Sequence, residues 1–186
     1  MILWLLACAG GPDAEALYPP LGEVPAFSLQ DQSGATVTKA SLAGKVWVAD
    51  FMFTSCPDVC PMLATHMAEV QARYVGNDRV RLVSFSVDPT TDTPPVLAAY
   101  GQRFGADPAR WLFLTGPLED VKTVVVDGFK LAMERVSEEG EPRRVLHGER
   151  FVVVDEAGRI RGYPDPKEPG KTAIYATVDA LLADGQ

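Results

Sequence analysis

The chain has 186 residues, 47% of them hydrophobic and 23% charged, and its formal net charge is −8. This size and composition are typical of a single globular domain with a hydrophobic core. The acidic balance excludes a typical nucleic-acid-binding protein, because such proteins present a basic surface to the phosphate backbone.

The N-terminus is an apolar stretch that is too short to span a bilayer. Within it, residues 5–8 read Leu-Leu-Ala-Cys and resemble the lipobox of bacterial lipoproteins, in which the chain is cut before the cysteine and that cysteine carries the lipid. The resemblance implies a signal and anchor over residues 1–8, with Cys8 as the lipid attachment site. The protein would then be anchored to the membrane on the periplasmic side of the cell envelope. The alternative is an apolar start in which Cys8 has no such role.

Residues 9–24 are rich in Gly, Pro and acidic residues and have no periodicity, which predicts a flexible tether. The folded domain is expected to span residues 25–186. Its first element is a predicted β-hairpin over residues 27–38 that turns at Ser33 and Gly34.

Residues 46–53 form a predicted strand with apolar residues on both faces, which suits a central strand that is covered on both sides. The helical spacing of Leu63, Met67 and Val70 predicts a helix over residues 62–74. The turn between this strand and this helix contains two cysteines.

Strands and helices alternate along the rest of the chain. Predicted strands cover residues 80–87, 111–114, 131–136, 151–155 and 160–163, and predicted helices cover residues 94–104, 118–129 and 173–182. This order predicts an α/β fold in which helices flank both faces of a mostly parallel central sheet, with the first two long strands side by side. The strands at 131–136 and 151–155 are expected to be antiparallel at one edge, which makes the sheet mixed.

Cys56 and Cys60 lie where the first central strand gives way to the first long helix. Because a helix N-terminus favours a thiolate, either thiol is expected to ionise near neutral pH and then to bind a metal or attack a disulfide. The order of elements resembles the thioredoxin fold, but its oxidoreductases use Cys-x-x-Cys. The third intervening residue in this chain widens the loop and suits two ligands that converge on a soft ion. A disulfide can still form across it.

His147 precedes the predicted strand at 151–155, in the loop where thioredoxin-like oxidoreductases place a cis-proline against the active disulfide. The fold would therefore bring His147 over the two cysteines. Two thiolates and one imidazole favour Cu(I), and an added weak ligand or a nearby carboxylate would also admit Cu(II). Structural zinc prefers four protein ligands, and the sequence offers no convincing fourth.

Four separated motifs resemble the SCO/SenC family of copper-binding proteins, which take part in cytochrome c oxidase assembly. They are Cys-Pro-Asp-Val-Cys-Pro at 56–61 after the apolar strand, Ser-Val-Asp-Pro at 86–89, Asp-Thr-Pro at 92–94, and His147 followed by Asp155 and Gly158. The resemblance covers the chain from about Leu21 onward. It implies that Cys56, Cys60 and His147 are copper ligands, and that Cys56 and Cys60 can form a redox-active disulfide.

The resemblance implies two functions. In the first, the protein is a copper chaperone, not an enzyme with catalytic residues, and it passes copper to the copper-binding subunit of cytochrome c oxidase or to another copper protein. In the second, it is a thiol–disulfide reductase that keeps the cysteines of the oxidase copper site reduced. His147 separates the two hypotheses, because copper binding needs it and disulfide exchange does not. A peroxiredoxin is excluded, because its Pro-x-x-x-Thr-x-x-Cys loop has no match in this chain.

Three other polar residues lie near the predicted site. Asp58, between the cysteines, and Asp88, at the end of the strand at 80–87, are candidates to tune the site or to contact a partner. The plainer interpretations are a solvated carboxylate for Asp58 and a cap of the following turn for Asp88. His66 follows Cys60 by almost two helical turns, which predicts a surface residue outside the copper site.

Overall fold

The described part of the chain comprises residues 13–136, 144–147, 150–165 and 170–184 of a computed structural model. Its strands are β1 Gly22–Glu23, β2 Ser28–Gln30, β3 Thr36–Thr38, β4 Val46–Met52, β5 Val80–Ser86, β6 Trp111–Leu114, β7 Met133–Val136, β8 Arg144–His147, β9 Val152–Val154 and β10 Arg159–Gly162. Its α-helices are α1 Ala14–Leu17, α2 Val59–Arg73, α3 Pro94–Arg103, α4 Leu118–Lys122 and α5 Gly170–Asp184.

Six strands form one mixed sheet in the order β1-β10-β9-β4-β5-β6. Strands β4, β5 and β6 are parallel, and Ala49 of β4 lies beside Val83 of β5, as the alternation of elements predicts. Strand β9 runs antiparallel to β4 and lies inside the sheet. The prediction of an edge position for this strand is wrong, because its three valines are fully buried and need a neighbour on each side.

Strand β4 is buried along its whole length, since it lies between β9 and β5 and contacts helices α2 and α5. All of its residues except Asp50 are apolar, as a strand covered on both faces requires. The ring of Phe51 packs against the rings of Phe85 and Phe129, with centroids 5.8 and 5.1 Å away. Burial of each such side chain contributes roughly 1.5–3 kcal/mol. The carboxyl end of β4 is therefore a well-packed base for the loop that follows.

The predicted N-terminal hairpin is present, with β2 antiparallel to β3. The carboxylate of Asp31 accepts the N–H groups of Ser33 and Ala35 in its turn, where Gly34 has a φ of 84°. The hairpin docks on the edge strand β6 through the side chain of Gln32. This side chain donates to the carbonyl of Trp111 and accepts from the N–H of Phe113. The open edge of β6 is covered in this way.

Two elements differ from the sequence prediction. The strand predicted at 131–136 does not join the main sheet, because β7 pairs with β8 in a separate antiparallel ribbon. The helix predicted at 118–129 is divided into α4 and a π-helical turn at Thr123–Gly128. The polar turn predicted at 137–142 lies outside the described residues.

Residues 13–24, which the sequence predicts to be part of a tether, instead pack on the domain. This segment contains α1, and its strand β1 pairs with β10. Arg161 of β10 is buried, donates to the backbone carbonyls of Ala14 and Tyr18, and forms an ion pair with Asp155 at 2.8 Å. The tether prediction is wrong here because the groups that bind the segment lie far away in the sequence. The folded part therefore begins before residue 25.

Replacing Arg161 with Met should lower the free energy of unfolding by about 3 kcal/mol, because the buried carboxylate of Asp155 loses a partner. Urea unfolding of the reduced protein measures the change. Arg103→Met on α3 is the control, since this arginine is exposed and its substitution should cost at most about 0.5 kcal/mol. Equal losses in the two variants would contradict the assigned role of Arg161.

Candidate functional site

The loop between β4 and α2, residues 53–58, carries the first cysteine, and the first turn of α2 carries the second. The N–H of Cys56 donates to the carbonyl of Phe53 at 3.2 Å. Cys56 is half-buried, whereas Cys60 is only 1% exposed. A side-chain hydrogen bond joins the two cysteines, which are thiols and not a disulfide. Two sulfurs therefore lie close together at the carboxyl end of the sheet.

Burial raises the pKa of the Cys60 thiol, and the hydrogen bond with Cys56 raises it further. The expectation that either thiol ionises near neutral pH is therefore wrong for Cys60. Its position in the first turn of α2 favours a thiolate, but the loss of hydration outweighs the field of the helix. Cys60 is a protonated thiol at neutral pH, and any metal that it binds must displace the proton.

His147 is the last residue of β8, and its backbone lies opposite Met133 of β7. The prediction that His147 lies in a loop is wrong, because Arg144–His147 completes an antiparallel ladder. Strand β9 begins soon afterwards, and its first residue, Val152, lies beside Ala49 of β4. Because β9 is antiparallel to β4, the chain that follows His147 enters the sheet at the end where the cysteine loop leaves it.

Two of the predicted site groups lie outside the described part: the side chain of His147, and Cys8 with the rest of residues 1–12. Among the residues that are described, no group of three or more His, Cys, Asp or Glu could hold a metal ion. No helix in the same part of the chain is long and apolar enough to cross a bilayer.

Asp58 and Asp88 have different surroundings. Asp58 is exposed at the N-cap of α2, and its side chain makes no capping hydrogen bond to that helix within the described structure. Asp88 is buried, and its carboxylate accepts the hydroxyl of Thr90 at 2.7 Å while its carbonyl accepts the N–H of Thr91 at 3.0 Å. Asp88 therefore closes the turn after β5, and Asp58 faces solvent beside the two thiols.

His66 is half-buried, so the prediction of a simple surface residue is only partly right. Its ring packs against the ring of Phe151, with centroids 6.3 Å apart. Its Nδ1 is buried and has no hydrogen-bond partner among the described residues. The sequence could not show this contact, because Phe151 lies far along the chain.

Asp50 of β4 is a buried carboxyl whose charge acts on Cys60, and it is absent from the candidate residues predicted from the sequence. It is 1% exposed, and its Oδ1 has no hydrogen-bond partner in the described structure. A hydrogen bond links it to Ser84 of β5, whose hydroxyl accepts the indole N–H of Trp111 at 2.8 Å. Burial raises the pKa of Asp50 to about 7, against the effect of Ser84, and its charge contributes to the raised pKa of Cys60. The available signal was a single acid inside an apolar strand.

The stability of the reduced protein should depend on the titration of Asp50. The folded state keeps this proton up to about pH 7, whereas the unfolded chain loses it near its ordinary pKa of 3.8. The contribution of protonated Asp50 to the free energy of unfolding is therefore fully present below about pH 4. It declines as pH rises and is lost above about pH 7. Asp50→Asn should remove this decline and gain up to about 4 kcal/mol relative to the wild type between about pH 4 and pH 8.

Urea unfolding of the wild type and of Asp50→Asn across that pH range tests this expectation. The difference between the two proteins is the relevant quantity, because the other titrating groups are the same in both. A difference that stays constant with pH would show that Asp50 has the same pKa in the folded and unfolded chains.

The sequence profile of the SCO1/SenC family matches residues 19–183. The chain is 35% identical over 163 residues to the SCO1 protein homolog of Bacillus subtilis, which covers 86% of this chain and 81% of that protein. Among solved structures, a SCO1/SenC family lipoprotein from Bacillus anthracis matches with a TM-score of 0.80 and 34% identity, covering 88% of this chain and 98% of that one.

Two further structures concern the chemistry of related proteins. Bradyrhizobium japonicum ScoI, solved with copper bound, has a TM-score of 0.74 and 28% identity, covering 86% of this chain and 99% of that one. BsSco is a member of the Sco family of cytochrome c oxidase assembly proteins, and a disulfide switch has been identified in it. Its structure matches with a TM-score of 0.73 and 34% identity, covering 88% of this chain and 96% of that one. The predicted thioredoxin-like fold is confirmed, and the chain belongs to the SCO1/SenC family.

Proposed function

We propose that this protein is a copper metallochaperone that binds one copper ion through Cys56, Cys60 and His147 and delivers it to the copper centre of cytochrome c oxidase. The observation that carries the proposal is the pair of hydrogen-bonded thiols at the carboxyl end of the sheet. Thiolates are soft ligands, and two of them converging from one loop and helix suit Cu(I). A copper-bound relative supports the same assignment.

The proposed third ligand, His147, is supported by the course of the backbone. The chain leaves β8 at this residue and enters β9 beside β4, at the end of the sheet where the dithiol lies. An imidazole from this segment would complete a three-coordinate site for Cu(I), and a nearby carboxylate would help the site to hold Cu(II). Asp58 is the exposed carboxylate in the cysteine loop, and we propose that it acts through its charge and not as a ligand, since it forms no metal-binding group with the two cysteines in the described structure.

The unequal burial of the two thiols supports a defined order of copper transfer. Cys56 is half-buried and Cys60 is enclosed, so an incoming ligand from the acceptor reaches the copper on the Cys56 side. Release ends at Cys60, whose raised pKa favours return of its proton once the metal has left. Transfer by successive ligand exchange needs no bond-making catalysis by the protein.

The proposed acceptor is the copper-binding subunit of cytochrome c oxidase or another copper protein. BsSco belongs to a family of cytochrome c oxidase assembly proteins, which supports the first choice. We also propose that lipid attached to Cys8 holds the protein at the periplasmic side of the membrane, which agrees with the lipoprotein from Bacillus anthracis. An acceptor that is itself in the membrane would then lie near the tethered domain.

A second candidate function is thiol–disulfide reduction of the acceptor's copper-binding cysteines. The observation that favours it is the same hydrogen-bonded dithiol, together with the disulfide switch of BsSco. The less buried Cys56 would attack the target disulfide, and Cys60 would then resolve the mixed disulfide. The target gains two electrons and two protons as thiols, and Cys56 and Cys60 lose them as they become a disulfide.

Anaerobic titration with Cu(I) against a competing chelator tests the chaperone proposal on the reduced full chain. We expect one tightly bound copper, with affinity lowered at least about 100-fold in Cys56→Ser and at least about tenfold in His147→Ala. His66→Ala is the matched control, because His66 is the only other histidine in the chain and should bind copper like the wild type. Wild-type binding that is no tighter than that of His147→Ala would refute the three-ligand site.

Exchange with oxidised glutathione separates the second function from the first. Cys56→Ser should abolish intramolecular disulfide formation, whereas His147→Ala should keep its rate within about twofold, because the imidazole is not needed for thiol attack. Rates can be followed by trapping the remaining thiols at intervals. If His147→Ala lost exchange together with copper binding, the two functions could not be assigned to separate groups.

A further inference from the structure

Asp92 lies in the turn between β5 and α3. Its carboxylate is fully buried and joins this turn to the cysteine loop at the carboxyl end of the sheet. The backbone N–H of Thr54 donates to its Oδ2 at 3.1 Å, and the Thr54 hydroxyl donates to its Oδ1 at 2.5 Å. The hydroxyl of Ser86, the last residue of β5, donates to Oδ2 at 2.6 Å. Donors from the cysteine loop and from the end of β5 therefore converge on one carboxylate and offset part of the cost of its burial.

This carboxylate takes the place of the next backbone acceptor in the ladder between β4 and β5. The last backbone bond runs from the N–H of Val87 to the carbonyl of Met52 at 2.9 Å. The N–H of Thr54 is the next donor on that side of the chain, because alternate residues face the same neighbouring strand. It bonds to Asp92, so the path of β4 continues to a point two residues before Cys56.

Asp92 is held in place by its own turn. Its N–H donates to the carbonyl of Asp88 at 2.9 Å, and α3 starts two residues later at Pro94. The carboxylate is thus carried by a short connection between a buried strand and a helix. A change in the position of Thr54 would therefore break hydrogen bonds to a buried charge, which costs more than the loss of bonds at an exposed one.

We infer that Asp92 is a positioning residue, which acts through Thr54 to hold Cys56 beside Cys60. Thr54 is two residues from Cys56, and the Cys56 N–H also bonds back to the same loop at Phe53. Two sulfurs held together have a high effective concentration toward one metal ion and toward each other. The copper part of this inference rests on the proposed function, whereas the part that concerns disulfide formation rests on the dithiol alone.

The test uses the full chain with Asp92→Asn, Thr54→Val and the double variant. Asn keeps the shape of Asp92 but loses the charge that shortens its hydrogen bonds, and Val removes the hydroxyl of Thr54 and keeps its N–H. Each single variant should bind Cu(I) about tenfold more weakly in the chelator competition, and the double variant should be little worse than either. Thr54→Ser retains the hydroxyl and should restore wild-type binding.

Equilibration with glutathione measures the same positioning without copper. Cys56 and Cys60 give two electrons and two protons to glutathione disulfide, which becomes two glutathione thiols as the protein disulfide forms. If Asp92 keeps the sulfurs together, Asp92→Asn and Thr54→Val should each lower this equilibrium constant about tenfold, which corresponds to about 30 mV.

Asp155→Asn is the matched control, because it is the same substitution at another buried carboxylate. Asp155 follows β9, whose last residue lies beside Trp47 near the amino end of β4, so it is far along that strand from the thiols. This variant should be less stable to urea but should bind Cu(I) and exchange with glutathione within about twofold of the wild type.

The outcomes separate the two proposals. A wild type that binds no copper would refute the chaperone, and the glutathione equilibrium would still decide the role of Asp92. Wild-type values for Asp92→Asn and Thr54→Val in both assays would overturn the positioning role. Losses in Asp155→Asn equal to those in Asp92→Asn would also overturn it, because they would trace the effect to overall stability. If Asp92→Asn does not fold, Thr54→Val and its Ser counterpart decide the question.

Discussion

Strand β4 has neighbouring strands on both edges and helices against its faces, so none of its residues reaches solvent. Its parallel partner β5 ends at the same edge of the sheet, and its antiparallel partner β9 starts there. Three separate parts of the sequence are brought to one place by this pairing: the cysteine loop, the turn that contains Asp92, and the segment that follows His147. The position of the candidate site is therefore a consequence of how one buried strand is paired.

The same burial sets the electrostatics beneath the site. Helix α2 begins at the dithiol, and its N-terminus favours negative charge there. Removal from water has the opposite effect, and it is the larger one for Cys60 and Asp50, whose pKa values are both raised. At neutral pH the inner thiol is protonated, so a soft metal ion must compete with a proton. Affinity for copper would then rise with pH, so a change in pH would shift the proposed balance between holding and releasing the ion.

The sequence predicted the parts of this arrangement that depend on local pattern. These parts are the strand at 46–53, the helix that follows it and the two cysteines between them. A strand buried on both faces has a continuous apolar sequence, and a helix has apolar residues at helical spacing, so both are visible in the local sequence. The packing of residues 13–24 was not readable, since it depends on Arg161 and Asp155 near the other end of the chain. The pairing of β7 with β8 and the raised pKa of Cys60 were missed for the same reason, because each depends on contacts between distant segments.

The buried acids Asp50 and Asp92 constrain the structure of the candidate site more than the exposed Asp58 does. A carboxyl group that is removed from water costs several kcal/mol unless it is neutralised or well bonded. Burial raises the pKa of both residues, but they meet this cost differently: a pKa of about 7 favours the neutral form of Asp50, whereas Asp92 accepts hydrogen bonds from Thr54 and Ser86 that oppose the rise. Asp92 therefore keeps its place only while the cysteine loop keeps its shape. The hydrogen bonds that stabilise this buried carboxylate also hold the cysteine loop that sets the distance between the two sulfurs. The geometry of the dithiol is therefore coupled to the stability of the carboxyl end of the sheet.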